Sequence, residues 1–336
     1  MRWLRRLLML VLLAAGVVAG AAWWWLEQPL PLATASVEVS IEPGLTPRRV
    51  AELWVDAGVQ APPRLLYEWF RWSGQSRQIR AGSYEVEAGI TPRQLLDKMV
   101  RGDQVLEVVR LAEGSTVAQM REALARAPSL KPATRDLTDA QLMAALGEPA
   151  QAPEGRFFPD TYAYSRGVSD LTVLKRAHAA MQRRLVSAWA ERASDLPLKS
   201  MDEALILASI IEKETGREAD RAQVAAVFAN RLRIGMPLQT DPTVIYGLGA
   251  AFDGNLRKRD LLADTPYNTY TRRGLPPTPI AMPGAASLRA AVLPAKTRAL
   301  YFVARSDGSG GSVFSESLAD HNRAVNQFQR GGKGSP

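Results

Sequence analysis

The feature that most limits what this chain can fold into is Leu7 to Leu26, an uncharged run reading LLMLVLLAAGVVAGAAWWWL. About 20 apolar residues is the length of helix that spans a bilayer core. Arg2, Arg5 and Arg6 precede the run and Glu27 follows it. By the positive-inside rule, residues 1–6 are a cytoplasmic tail, 7–26 the transmembrane anchor, and everything after Glu27 lies outside. Trp23, Trp24 and Trp25 fall at the outer end, where an aromatic belt sits. The rival reading is a cleaved leader with Ala19-Gly20-Ala21 as its small-residue site. The apolar run continues past that site through three tryptophans, so the expectation is an uncleaved anchor. Pro29, Pro31 and small residues up to Ser36 make 27–36 a short linker.

The exported part is long enough for a sizeable core, since the chain has 336 residues and 46% are hydrophobic. With no cysteine and only His178 and His321, disulfide frameworks, thiolate nucleophiles and Cys-based metal sites are excluded, and a His-rich metal site is disfavoured. Half of the net charge of +8 comes from Arg2, Arg5 and Arg6 against Glu27, plus Arg330 and Lys333. No dense basic stripe remains to track phosphates, so nucleic acid is not an expected partner. No nucleotide loop or dinucleotide fingerprint is present, and no cofactor is expected. Hydrolytic or lyase chemistry here has to rest on carboxylates.

A weak repeat occupies residues 37–124. VSIEPGLTPRRVAEL from Val39, YEVEAGITPRQLLDKM from Tyr84 and VRLAEGSTVAQMREAL from Val109 share one order: alternating strand, Gly turn, Thr, amphipathic helix. Thr caps a helix N-terminus, and Pro47 and Pro92 suit the first helical position. The bland reading is ordinary strand–helix punctuation; the functional one is a small glycan-positioning module. The pattern resembles LysM modules, which bind N-acetylated glycans.

Residues 125–330 are expected to form the second domain, with 331–336 a disordered tail. Leu171 to Arg192 reads as a helix, and its lone His178 as structural. The segment that carries chemistry is ALILASIIEKET, Ala204 to Thr215. With Leu207 at zero on a helical wheel, Glu214 falls near ~340°, inside the apolar stripe, and Glu212 near ~140°, on the opposite side. Glu212 is therefore expected to be solvated or paired, and Glu214 partly desolvated. Desolvation raises a carboxyl pKa, which keeps a glutamic acid protonated and able to act as a general acid. The competing reading is a buried pair between Glu214 and an arginine within 217–233. A second helix is expected around Asp220 to Ile234, with Val224, Val227, Phe228 and Leu232 as its apolar face. Asp241-Pro242 is a helix-start signal, with Asp241 as N-cap. Gln239, Thr240 and Tyr246 bring an amide, a hydroxyl and a ring close in sequence, which suits sugar recognition; with Asp241 and Asn268, the latter in the polar aromatic loop 265–271, they are the expected substrate-binding residues. Tyr301 to Ala304 and Ser312 to Ser315 read as a hairpin, followed by a last helix bearing His321.

The stretches ASIIEKETGREADRAQVAAVFANRLRIGMPLQTDPTVIYGLG and TPYNTYTRRGLPPTPIAMPGAASLRAAVLPAKTRALYFVA resemble the endolytic murein transglycosylase family of bacteria. EGRFFPDTY and the late DHN fit as well, and the resemblance covers about residues 37–330. It implies an inner-membrane protein, single-pass, with its N-terminus cytoplasmic and its catalytic domain periplasmic. The implied substrate is the nascent peptidoglycan strand. Cleavage between N-acetylmuramic acid and N-acetylglucosamine leaves a 1,6-anhydro-muramoyl end, ends strand elongation, and runs alongside cell-wall synthases. The resemblance makes the second Glu of the EKET motif, Glu214, the catalytic residue. The expected architecture is α+β: anchor, LysM-like strand–helix modules, then a mixed helical catalytic domain with small β-sheets. Two alternatives stand beside it. One is a non-catalytic, membrane-anchored peptidoglycan-binding scaffold for synthases. The other is a hydrolase, which needs a second carboxylate about 5–10 Å from the first; Asp241 and Glu218 are the candidates.

Overall fold

A computed structural model describes residues 2–306, 308 and 310–330. The expected disordered tail at 331–336 lies outside the described residues. Within them are thirteen α-helices and six strands in three two-stranded sheets, a mixed α+β architecture. The chain divides into two compact units. The first runs to Val108 and takes back Pro128–Lys131 and Ala163–Val168; the second holds Val109–Ala127, Pro132–Tyr162 and the chain from Ser169.

The first unit contains α1 (Arg2–Leu26), β1 (Ser36–Ile41), α2 (Pro47–Asp56), α3 (Pro63–Trp72), β2 (Gly82–Glu87), α4 (Pro92–Arg101) and the start of β3 (Leu106–Arg110). Arg5–Leu26 of α1 is long and apolar enough to cross a membrane, and it is exposed along its length except at Trp25 and Leu26, which are half-buried. That is compatible with a single-pass anchor. β1 and β2 pair antiparallel, from Ser36 opposite Glu87 to Ile41 opposite Gly82. Alternation turns Val37, Val39 and Ile41 inward, where they meet Trp54, Leu66, Phe70, Tyr84, Leu95 and Met99.

The repeat is visible as local structure. Thr46, Thr91 and Thr116 each cap a helix, accepting the N–H of Arg49, Gln94 and Gln119. Thr91 and Thr116 complete capping boxes in which the glutamine returns to the cap N–H. The turn glycine of each copy takes a positive φ, +87° at Gly44, +99° at Gly89 and +72° at Gly114, which a side chain would oppose. The copies do not form one module, however. β3, the strand of the third copy, pairs with β4 (Thr161–Ser165), and the unit boundary falls inside β3 and not after Leu124.

The second unit contains α5 (Val117–Arg126), α6 (Asp139–Ala145), α7 (Asp170–Ala190), α8 (Met201–Glu214), α9 (Glu218–Arg233), α10 (Asp241–Leu248), α11 (Lys258–Leu262), α12 (Ala285–Val292), the hairpin β5 (Tyr301–Ala304) and β6 (Ser312–Ser315), and α13 (Leu318–Val325). α8 is its centre. The wheel expects one buried stripe, but every residue from Ala204 to Ile211 is buried. α7 contributes Met181 and Leu185, α9 Val224 and Phe228, and α12 Leu288, Ala291 and Val292 to the same cluster. A helix that is apolar all round has to be enclosed by others. Ser209, the one polar residue of that stretch, is satisfied: its hydroxyl donates to Ile206 O (2.7 Å) and accepts from Ile280 N–H (3.0 Å). His178 is buried on α7, 3.2 Å from Glu148, and does not line the cleft that holds Glu214.

Candidate active site

Helix α8 stops at Glu214 because Thr215 turns extended (φ −144°, ψ 127°) and Gly216 follows. Glu214 thus stands at a helix C-terminus, where the backbone dipole disfavours negative charge. Two residues earlier, Glu212 has a different fate. Its side chain is only 6% exposed, lies 3.6 Å from Arg221 and accepts the Gly284 N–H at 2.9 Å. Glu212 is therefore paired, as one branch of the wheel argument requires, but it is not on a solvent face. What separates the two glutamates is partnership: Glu212 is neutralised within the protein, while Glu214 faces open space.

That space is a cleft of about 370 Å³. Glu214, Arg231, Gln239, Asp241 and Tyr270 line it on one part, and Tyr301, Phe302, Leu318 and His321 on another. Burial pushes the Glu214 carboxyl above its ordinary range, and Asp241 adds to this; the Thr240 hydroxyl, which donates to Glu214, and the charge of Arg231 oppose it. Arg231 is 7% exposed and is fixed by backbone carbonyls, its Nε donating to Leu300 O and its Nη1 to Leu238 O, both at 2.7 Å. Its guanidinium also lies 5.3 Å from the Tyr301 ring centre. Tyr301 stacks on His321 at 5.3 Å and 25°. Burial and Arg231 hold the His321 imidazole below its ordinary pKa, and its Nδ1 is buried without a partner.

Three sequence-derived candidates converge here. Gln239 lines the cleft with φ +50°, an uncommon backbone state for a side-chain-bearing residue. It is held there by the Thr269 carbonyl, which accepts its N–H at 3.0 Å. Thr240, buried, is the N-cap of α10 and spends its hydroxyl on Glu214 instead of on the helix. Asp241 is the first residue of α10 and not its N-cap, because its carboxylate turns to accept the Tyr270 hydroxyl at 2.5 Å. Glu218 starts α9, is exposed and does not line the cleft.

Two candidates do not belong to it. Asn268 is fully buried; its Nδ2 donates to the carbonyls of Asp260, Leu261 and Ala263 and its Oδ1 accepts from Tyr270 N–H. Both amide hydrogens and one lone pair of the carbonyl oxygen are used in closing its own loop, and the side chain is fully buried, away from the cleft. Tyr246 points its hydroxyl at Glu154 (3.1 Å) and packs edge-on against Tyr267 at 4.9 Å.

Sequence reasoning assigns no site role to Arg231, Tyr270, Tyr301 or His321, although Tyr270 falls in the polar aromatic loop 265–271. Arg231 did leave a trace: it follows Val224, Val227 and Phe228 at helical spacing, where a further apolar residue is expected. His321 and Tyr301 arrive from elements far along the chain; both fall in stretches that resemble the family, but nothing in their local pattern assigns them to the cleft. Among the described residues, no group of three His, Asp or Glu side chains is placed to hold a metal ion.

Comparison with known proteins supplies the relationship. The YceG-like family matches residues 39–327. The endolytic murein transglycosylase of Bacillus subtilis is 31% identical over 310 residues, 87% of this chain and 85% of that protein. A protein of the same description from Streptococcus pneumoniae is 26% identical over 296 residues, and the match spans about half of its length, 53%. The crystal structure of a yceG-like protein from Listeria monocytogenes aligns with 86% of this chain and 98% of its own, at 29% identity and a TM-score of 0.53. With a family match across most of its length and a relative above 30% identity over nearly all of both proteins, the chain belongs to the YceG-like family.

Proposed function

We propose that this chain is a membrane-anchored lyase that cuts peptidoglycan strands internally, between N-acetylmuramic acid and N-acetylglucosamine, leaving 1,6-anhydro-muramoyl ends. The observation that carries the reading is Glu214: a carboxyl at a helix C-terminus, raised by burial, in an open cleft. The names of the relatives support the substrate class.

In this reading Glu214, protonated, gives its proton to the glycosidic oxygen. The carboxylate so formed takes the proton of the muramoyl C6 hydroxyl as that oxygen attacks C1. The C1–glycosidic oxygen bond breaks, the C1–O6 bond forms, and Glu214 ends protonated as it began. One group serves as acid and then as base. Thr240 positions Glu214, and Gln239 and Asp241 bind sugar, with Arg231 and the Tyr301–His321 stack as further walls. The β1–α2–α3–β2 order of the first unit supports a LysM-like, glycan-positioning role there. α1 anchors the chain in the inner membrane with the cleft in the periplasm, beside strands emerging from cell-wall synthases, so that cleavage ends their elongation.

Asp241 gives a hydrolytic reading its one specific support, because a second carboxylate shares the cleft. The test is mass spectrometry of products formed from uncrosslinked glycan strands by the full chain in lipid nanodiscs. Internal cleavage with anhydro-muramoyl ends is expected. Reducing ends would replace the lyase reading with hydrolysis, and intact strands that still bind would favour a scaffold.

A further inference from the structure

Helix α3 is apolar on two faces, one fully buried and the other only partly covered by the protein. Leu66 and Phe70 are fully buried in the core of the first unit. Leu65, Trp69 and Trp72, at i, i+4 and i+7, form a second stripe; Leu65 is 48% exposed and Trp72 78%, and Trp69 between them is half-buried. Large apolar side chains gathered on an outer helix face mark an interaction surface.

The neighbour of this stripe is the outer end of α1. Ala21, Ala22, Trp24, Trp25 and Leu26 line an apolar groove of about 630 Å³ together with Leu65, Trp69 and Trp72, and Glu68 is the only charged residue on its walls. The placement is fixed by several contacts. Trp25 packs against the first unit's core. Glu27 pairs with Arg93 at 2.9 Å, and the Leu30 N–H donates to Ile90 O at 2.7 Å. The Trp69 indole donates to Pro92 O at 3.0 Å, with the Arg93 guanidinium 5.9 Å from its ring centre. The α3 stripe therefore lies level with Trp24 and Trp25 at the end of the apolar span.

The geometry points to α3 as a second membrane contact, its Leu65–Trp69–Trp72 stripe seated in the interface of the leaflet from which α1 emerges. This rests on α1 being the anchor. The occupant of the groove is phospholipid: α1 already presents continuous apolar surface to acyl chains, and the groove extends that surface sideways onto α3. Arg64, exposed on α3, supplies a cation for headgroup phosphates, and Arg71, also exposed, is shared with Glu68 at 3.4 Å, in the pattern of an interfacial amphipathic helix. Tryptophan rings favour the same interfacial depth; here their N–H groups are satisfied within the protein, Trp69 by Pro92 O and Trp72 by Glu68. A chain held at α1 and α3 together cannot swivel about a single helix, so the first unit has one orientation on the bilayer.

The chain has no cysteine, so single nitroxide labels can be placed without background. The full chain carrying Leu65→Cys, Trp72→Cys, Val11→Cys or Glu42→Cys is reconstituted into phosphatidylcholine–phosphatidylglycerol vesicles. Collision with oxygen, which concentrates in lipid, is compared with collision with a water-soluble nickel chelate. Labels at 65 and 72 are expected to match the label at 11, oxygen-accessible and nickel-protected, while the label at 42 behaves as aqueous. If 11 is in lipid but 65 and 72 match 42, the inference fails and the anchor stands. If 11 is aqueous too, the anchor reading itself has failed. Protection of 65 and 72 from both reagents would mean that protein covers the stripe, either a second copy or another partner, and would also overturn the inference.

Discussion

Glu154 offers a prediction whose sign and size follow from its surroundings. It is 7% exposed, accepts the Val117 N–H at the start of α5 and takes a hydrogen bond from the Tyr246 hydroxyl on α10, both at 3.1 Å. These donors favour the carboxylate, yet burial outweighs them and raises its pKa from 4.5 to about 7. In the unfolded chain Glu154 titrates near the ordinary value. Below that pH both states are protonated and the group is neutral in its effect. Across the window from about 4.5 to about 7, the folded state keeps the proton and the unfolded state releases it. Stability therefore falls as pH rises through this window and levels off above it, by up to about 3 kcal/mol for a shift of this size. Glu154→Gln keeps an acceptor for Val117 and has no proton to lose. Urea unfolding of wild type and variant, followed by tryptophan fluorescence, should show their stability difference moving in favour of the variant by about 3 kcal/mol between pH 4.5 and pH 8. A difference that is flat with pH, or that moves toward wild type, refutes the reasoning.

Two further substitutions probe the cleft wall. Gln239→Gly removes the penalty of a left-handed backbone, about 1 kcal/mol, so thermal unfolding should rise slightly while strand cleavage slows, because the side chain that faces the cleft is gone. Arg231→Lys loses the fork that serves the Leu238 and Leu300 carbonyls, and leaving buried carbonyls unpaired should cost about 1–3 kcal/mol, read as a lowered urea midpoint. An unchanged midpoint would mean that those carbonyls find other donors.

Much of this architecture is legible in the sequence because it is local. The uncharged run gives α1, the Gly–Thr–Pro spacing gives the capped helices, and alternation gives the β5–β6 hairpin with its observed limits. The phase of α8 separates Glu214 from Glu212 correctly in consequence but not in cause. A wheel registers one stripe against another, and it cannot see that neighbours on every side enclose α8 and supply Arg221 and the Gly284 N–H to Glu212. The same blindness explains Asn268 and Tyr246. Polar residues near a motif look available in sequence, whereas their valences are spent on loop carbonyls and on Glu154. The third repeat copy shows the converse: its local pattern matches the other two, but strand pairing, a non-local choice, takes β3 to β4. The Tyr301 and His321 lining of the cleft depends on where the hairpin and α13 pack, which no local pattern encodes.

The most direct test of the central claim compares wild type, Glu214→Gln and Asp241→Asn, each as the full chain, for the rate at which anhydro-muramoyl ends appear from nascent strands. If Glu214 is the single acid and base, its glutamine variant loses about 10³-fold in rate while its unfolding midpoint is unchanged or higher, as expected when a general acid–base group is removed. Asp241→Asn should keep the chemistry and weaken only substrate binding. Cleavage that survives in Glu214→Gln, or that disappears equally in Asp241→Asn, would contradict the account and move the reaction to a pair of carboxylates.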